Sequence, residues 1–277
     1  MPVESTPNQS VERAAGLLRA LAEDHRDLRA SELATAAGLG LSTATRLLAT
    51  LESLDLVERD PVASTYRLGP LALTLGGAAA NQSPIYREAR QHMQNLAAGL
   101  GVGVNLAHRQ GDHLQYLYNT EGRQAPRSFT LTGQRNPLHA TGLGKCLLVG
   151  LDADARRALL PAESLTAFTA RTLTTHEALD TEIRGVIARG YGTEVEELAL
   201  GRACVAAPIR DRGNDVVAAV SISGPLSALD LEHRRDELGQ TVLELADTIS
   251  TALGYRAVAL PLHALIDSAE ASVEPAG

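Results

Sequence analysis

The first 69 residues hold three short apolar stripes at helical spacing, each separated from the next by turn residues, and then two short strand-like runs. That punctuation points to a compact three-helix unit followed by a hairpin. In the first stripe Val11, Ala14, Ala15, Leu18 and Leu21 recur at helical intervals, with Ser10 placed to cap the start. After the polar break Asp24 to Asp27, Ser31 can cap a second helix with Leu33, Ala34 and Ala37 inside, closed by Gly38 as a left-handed cap. Leu39-Gly40-Leu41 then turns the chain, and Ser42 can cap a third helix that buries Ala44, Leu47, Leu48 and Leu51. The runs Leu56 to Arg59 and Thr65 to Leu68 flank Asp60 to Ser64, whose Pro and small polar residues suit a hairpin loop.

Three short helices and a hairpin are the expectation for a winged helix-turn-helix, in which the third helix enters the major groove. On that reading Ser42, Thr43, Thr45 and Arg46 face DNA, and Arg46 can fork onto guanine. Arg59 and Arg67 lie on the wing, near the phosphate backbone or minor groove. The plainer reading is a small helical domain for protein contacts, with Arg46 as a solvated charge. Charge argues against DNA. The chain carries a net -8, and through Gly69 seven arginines face ten acids, a net of -3. Since phosphate neutralisation normally supplies most affinity, a DNA reading needs a few well-placed arginines and help from oligomerisation.

The remaining 208 of 277 residues suffice for a larger second domain. Residues 70–83, apolar and rich in Ala and Gly, read as a linker helix ahead of Pro84. Strands are expected at Gly103 to His108, His113 to Asn119, Cys204 to Arg210 and Val216 to Ser223. Helices are expected at Thr141 to Gly150 and Thr175 to Arg189, and a last one places Leu238, Val242, Leu245, Ile249 and Leu253 on one stripe. The fold class is therefore α+β, with a mostly antiparallel sheet over residues 84–256. Residues 257–277 lack periodicity and are expected to be a disordered tail.

The longer motifs carry a resemblance. Ser10-Val11-Glu12-Arg13-Ala14, Ser31-Glu32-Leu33-Ala34, Ser42 to Leu51 and Tyr66-Arg67-Leu68-Gly69 resemble the DNA-binding half of the IclR family of bacterial regulators. Pro137 to Lys145, Arg189-Gly190-Tyr191, Gly201 to Pro208 and Ser221 to Pro225 resemble its effector domain. The resemblance implies a GAF-like effector-binding domain, a homodimer or dimer of dimers, and control of genes for using small carbon sources. It places effector contacts on Gly142, Leu143, Glu194, Arg202, Cys204, Ser221 and Ser223. Two departures stand out. Gly40-Leu41 replaces the Pro-Lys that often precedes the recognition helix, which removes one phosphate-facing cation. Arg202 stands one residue earlier than the family's arginine, and in a strand that shift moves a side chain to the opposite face, here toward the pocket.

Other motifs resolve toward plainer readings. Thr141-Gly142-Leu143-Gly144-Lys145-Cys146 lacks the Gly at position 139 and the Ser or Thr after lysine that a phosphate-binding loop needs, so nucleotide hydrolysis is excluded. Glycine amides opening a helix still suit a carboxylate, with Lys145 either assisting or serving as a cap or surface contact. His108, His113 and His139 with Cys146 or Cys204 match no metal-ligand spacing. Cys146 and Cys204 read as reduced, buried thiols, and Glu196-Glu197 as a solvated charge run. No apolar run reaches the roughly 18 to 20 residues of a membrane span, and Met1 to Ser10 resembles no signal peptide, so a cytoplasmic location is expected. The function expected is a regulator that binds operator DNA and responds to a small organic acid, with no catalytic residue and no cofactor. The alternatives are an enzyme on a GAF-like scaffold with Cys204 or Lys145 as nucleophile, and a regulator that acts without an effector.

Overall fold

The computed structural model describes residues 8–24, 26–123 and 132–256. The expected tail at 257–277 lies outside them. The chain divides into two compact units, Met1–Ser83 and Pro84–Gly277.

In the first unit α1 (Gln9–Glu23), β1 (Leu28–Arg29), α2 (Ala30–Ala36), α3 (Leu41–Ser53), β2 (Val57–Arg59), β3 (Thr65–Leu68) and α4 (Pro70–Gln82) follow in order. The caps differ from expectation. Asn8, rather than Ser10, starts α1, its side chain accepting the N–H groups of Ser10 and Val11. Helix α2 begins after Arg29, whose N–H donates to Glu32 at 2.7 Å, and α3 begins after Gly40, which leaves Ser31 and Ser42 already inside their helices. Gly38 ends α2 in the left-handed region, with φ of 64°. The buried line of α1 runs through Leu17 and Leu21, and Val11 is 65% exposed; the helix is rotated from the predicted stripe so that Leu17, fully buried, meets the core. Leu33, Ala44, Leu48, Leu51, Val57 and Tyr66 complete that core. Strand β1, which two residues are too short to announce in sequence, pairs antiparallel with β3 and gives a three-stranded sheet of order β1-β3-β2. None of the residues of α4 is buried.

In the second unit α5 (Pro84–Leu100) precedes β4 (Gly103–Gln110), β5 (His113–Thr120) and β6 (Arg135–Pro137). Next come α6 (Gly142–Leu148), α7 (Ala153–Leu159), a 3-10 turn, α8 (His176–Arg189), β7 (Gly192–Val195), β8 (Arg202–Arg210), β9 (Val216–Pro225), α9 (Leu226–Leu229) and α10 (Leu231–Ala252). The six strands form one antiparallel sheet of order β6-β5-β4-β9-β8-β7. Alternation sorts the side chains onto its two faces. Val104, Leu106, Ala203, Val205, Val220 and Ile222 pack with Met93 of α5 and Leu238, Val242 and Ile249 of α10. Ala206 and Ala219 pack instead with Leu143, Cys146 and Leu147 of α6 and Leu179 and Ile183 of α8.

Gly142 lets α6 lie close on this second face, and Gly144 lets the helix fold back on the segment that leads into it. A Cβ on Gly142 would come within 2.7 Å of the Cys204 sulfur, and one on Gly144 within 2.2 Å of the Leu138 carbonyl oxygen. Thr141 caps the helix, its hydroxyl accepting the Gly144 N–H at 3.0 Å. No helix among the described residues is long and apolar enough to cross a membrane.

Candidate functional site

In the first unit the outer face of α3 presents Ser42, Thr45 and Arg46 to solvent, while Thr43 is half-buried. The hydroxyls of Thr45 and Thr50 donate to the carbonyls of Leu41 and Arg46, four residues back, at 2.9 and 3.2 Å. Their hydrogens are thus spent on their own helix, and Arg46 is the cation of this face. On the hairpin, Asp60 accepts the N–H groups of Val62 and Ala63 at 2.7 and 2.9 Å, which closes the loop and holds its carboxyl below the ordinary range. The Arg59 guanidinium lies over the Tyr66 ring, 5.8 Å from its centroid. Arg67 sits opposite Glu58 across β2 and β3, and its Nε lies 2.9 Å from the Glu58 carboxylate, with Asp27 3.9 Å away on the other side. The two wing arginines therefore differ: acids occupy Arg67, and no ion pair among the described residues occupies Arg59.

The second unit carries a cavity of about 350 Å³ between α6 and the sheet. Six of the seven predicted effector residues line it: Leu143, Glu194, Arg202, Cys204, Ser221 and Ser223. Gly142, the seventh, lies beneath it against Cys204. Strand register makes this convergence. Glu194 and Cys204 are cross-strand partners, Cys204 is also the partner of Ser223, and Arg202 lies two residues from Cys204 on the same face. The one-residue displacement of Arg202 thus turns it toward the cavity, where it makes no ion pair among the described residues. In particular, Arg202 does not pair with Glu194.

Several lining residues escaped the sequence reading: Asn105 on β4, Tyr116 on β5, Asn136 on β6, Thr141, and the segment Leu198 to Leu200. One signal was available for Asn105, which interrupts the apolar run Gly103 to Ala107 that opens β4 and is 5% exposed. Its amide nitrogen lies 2.7 Å from the Ser223 hydroxyl and 3.4 Å from that of Ser221. Asn136 donates to the Tyr116 hydroxyl at 3.2 Å.

Two charge expectations are corrected. Lys145, expected either to assist in holding a carboxylate or to serve as a cap or surface contact, is 1% exposed and donates to Glu197 at 2.5 Å and to the Thr193 carbonyl at 3.1 Å. Glu197, expected in a solvated run, is buried as its partner. Glu196 is half-buried in the turn, at φ of 59°, its carboxylate taking the Gly201 N–H and pairing with Arg171. One oxygen of Glu194 accepts the N–H groups of Glu197 and Leu198 at 2.6 and 3.3 Å, so the cavity carboxylate also anchors the segment that roofs it. Burial pushes Glu194 up to about 7 against the pull of those two bonds.

The remaining candidates are structural. Both thiols are free and buried, Cys146 pushed up to about 12 by desolvation and Cys204 higher still by desolvation and then Glu194. His139 is buried with one ring nitrogen 3.0 Å from the Thr166 carbonyl, His108 meets Gln115 and His113 meets Asp112. No group of three or more His, Cys, Asp or Glu among the described residues could hold a metal ion.

Comparison with known proteins covers both units. The family model for the IclR helix-turn-helix domain matches residues 10–61, and that for the bacterial transcriptional regulator IclR C-terminal domain matches residues 77–251. The chain is 32% identical to the HTH-type transcriptional regulator XynR of Escherichia coli K12 over 252 residues, covering 90% of this chain and 98% of that one. It is 32% identical to the HTH-type transcriptional repressor AllR of the same strain over 256 residues, covering 92% and 94% of the two chains. The crystal structure of an IclR transcriptional regulator from Alicyclobacillus acidocaldarius superposes with a TM-score of 0.79 at 28% identity, covering 89% of this chain and 99% of that one.

Proposed function

The chain belongs to the IclR family of bacterial transcriptional regulators, and we propose that it is a cytoplasmic, operator-binding repressor released or retained by a small organic acid. It has the family's helix-turn-helix domain and C-terminal ligand-binding domain. Within that frame residues 1–69 form the DNA-binding domain, 70–83 the linker helix and 84–256 the effector domain. The relatives are named as regulators or repressors.

The observation that carries the acid reading is Arg202, a cation on the cavity wall without an acidic partner among the described residues, in a lining that also holds the hydroxyls of Ser221 and Ser223. An anion meets charge-assisted donors there, each worth about 1.5 to 3 kcal/mol. Glu194 would repel it if fully ionised. At about 7 it is partly protonated near neutral pH and can give a hydrogen bond to the ligand instead. A small hydroxy or keto acid, or an aromatic acid, suits about 350 Å³ with Leu143 and Leu198 as the apolar walls.

On the DNA side Arg46 reads a base edge from α3, with Ser42, Thr43 and Thr45 beside it, while Arg59 and Arg67 flank the groove from the wing. Two such heads are held together through the exposed apolar face of α4 and the neighbouring α5 in a homodimer or a dimer of dimers. An enzymatic reading fits less well: neither thiol is a thiolate at neutral pH, and Lys145 is held in its ion pair. Calorimetry with lactate, pyruvate and benzoate, followed by operator mobility shift at saturating acid, tests the proposal. Saturable binding without turnover that changes operator occupancy supports it. Affinity unchanged in both Arg202→Leu and the paired Ser221→Ala, Ser223→Ala variant removes this cavity as the sensor.

A further inference from the structure

The two serine hydroxyls of the cavity have an unusual set of partners. Asn105 lies on β4 directly across from Ser221 of β9, and its amide nitrogen approaches both Ser221 and Ser223 at 3.4 and 2.7 Å. A hydroxyl has one hydrogen to give and lone pairs to receive. An oxygen that accepts from the amide therefore keeps its own hydrogen. Among the described residues neither serine passes that hydrogen to a protein acceptor, in contrast to Thr45 and Thr50, whose hydroxyls donate to carbonyls of their own helix. Ser221 is 1% exposed, and both serines line the cavity, into which the two hydrogens can point.

We propose that Asn105 sets the polarity of this clamp: by giving its two amide hydrogens to Ser221 and Ser223, it commits both hydroxyls to donate into the cavity, so the site selects a carboxylate over the matching neutral amide. This rests on the acid-sensing reading and adds the residue that determines its selectivity. A carboxylate offers acceptors to both hydrogens and gains charge assistance. A primary amide presents an NH₂ group at one of the two places, donor against donor, and leaves a buried hydroxyl unsatisfied. Asn105 acts through the serines and is a positioning residue.

Replacing Asn105 by Asp keeps the shape and reverses the direction, because a carboxylate takes the serine hydrogens and turns their lone pairs toward the ligand. Calorimetry on the full chain compares lactate, pyruvate and benzoate with lactamide, pyruvamide and benzamide, for wild type, Asn105→Asp and Asn105→Leu. The ratio of acid to amide affinity is the readout, since a loosened pocket weakens both ligands alike. Wild type is expected to favour the acid, and Asn105→Asp to lower the ratio by about tenfold or more, one hydrogen bond's worth. Asn105→Leu, which frees the hydroxyls to turn either way, is expected to lower it less. An unchanged ratio in Asn105→Asp, with acid still bound, overturns the role of Asn105 and leaves the acid sensor standing. If Asn105→Asp does not fold, as judged by melting and operator binding, an unchanged ratio in Asn105→Leu overturns it. A wild type that binds only amides, or none of the six compounds, overturns both readings.

Discussion

The ammonium of Lys145 and the carboxylate of Glu197 meet at 2.5 Å where the lysine is 1% exposed, so each charge is held in the interior by the other. Removing one partner leaves the other buried and uncompensated, which typically costs about 3 to 5 kcal/mol, whereas replacing both with apolar groups costs far less. Lys145→Met is therefore expected to lower the stability of the C-terminal unit by about that amount, and Lys145→Met with Glu197→Leu to recover much of it. Urea unfolding followed by circular dichroism measures both; a double variant no more stable than the single one contradicts the pairing.

Glu194 imposes a pH dependence of definite sign. Burial first, opposed by two backbone hydrogen bonds, raises its carboxyl from the ordinary 4.5 to about 7. The folded state then holds a proton that the unfolded chain has released, so stability falls as pH rises from about 4.5 to about 7 and levels off above. The effect is on the order of 3 kcal/mol. Glu194→Gln, which still offers an oxygen to the N–H groups of Glu197 and Leu198, is expected to flatten the melting temperature across that window and to melt higher than wild type at pH 8. Parallel melting curves for the two proteins from pH 5 to 8 would count against a raised Glu194.

For DNA, Arg46→Ala is expected to cost about 1 to 3 kcal/mol and to relax preference at one position per half-site. Arg67→Ala is expected to do little, because Glu58 and Asp27 already occupy its guanidinium. The sharper test is Glu58→Gln. Freeing Arg67 for a phosphate should tighten binding to all sequences alike and steepen the salt dependence by about one counterion per head. A mobility shift at several salt concentrations reads this out, and a weaker complex would show that Glu58 orients Arg67 rather than competing for it.

Helix α4 exposes Leu73 at 81% and Leu75 at 54% and buries none of its residues. Leu73→Glu with Leu75→Glu is expected to shift sedimentation at micromolar concentration toward monomer and to weaken operator binding in parallel. Unaltered sedimentation would place the assembly surface elsewhere.

The helical periods, the wing and the large strands were legible because each is written in local spacing that a single face of a core enforces. The exact helix starts were not: Asn8 and Ser10, or Gly40 and Ser42, are equally good caps until tertiary packing fixes the helix rotation. Lys145 and Glu197 were misread for a different reason. They stand 52 residues apart, and charges look solvated until a partner from another element neutralises them. The serine pair and Arg202 followed from alternation along single strands. Asn105, 116 residues from Ser221, needed the register between β4 and β9, which no local pattern encodes.

Gly142 and Gly144 have a consequence for how such a cavity can change its ligand. Gly142 cannot gain a methyl group without lifting α6 away from Cys204 on the sheet, nor Gly144 without displacing the Leu138 backbone that leads into the helix. The helix side of the cavity is a fixed jig, and new specificities must be cut on the other walls. Asn136 at an edge strand and the exposed Ala199 and Leu200 are free to vary in size and polarity. A biosensor library that randomises 136 and 198–200 and spares 142 and 144 should yield folded variants with altered acids, whereas one aimed at the glycine helix should yield mainly collapsed protein.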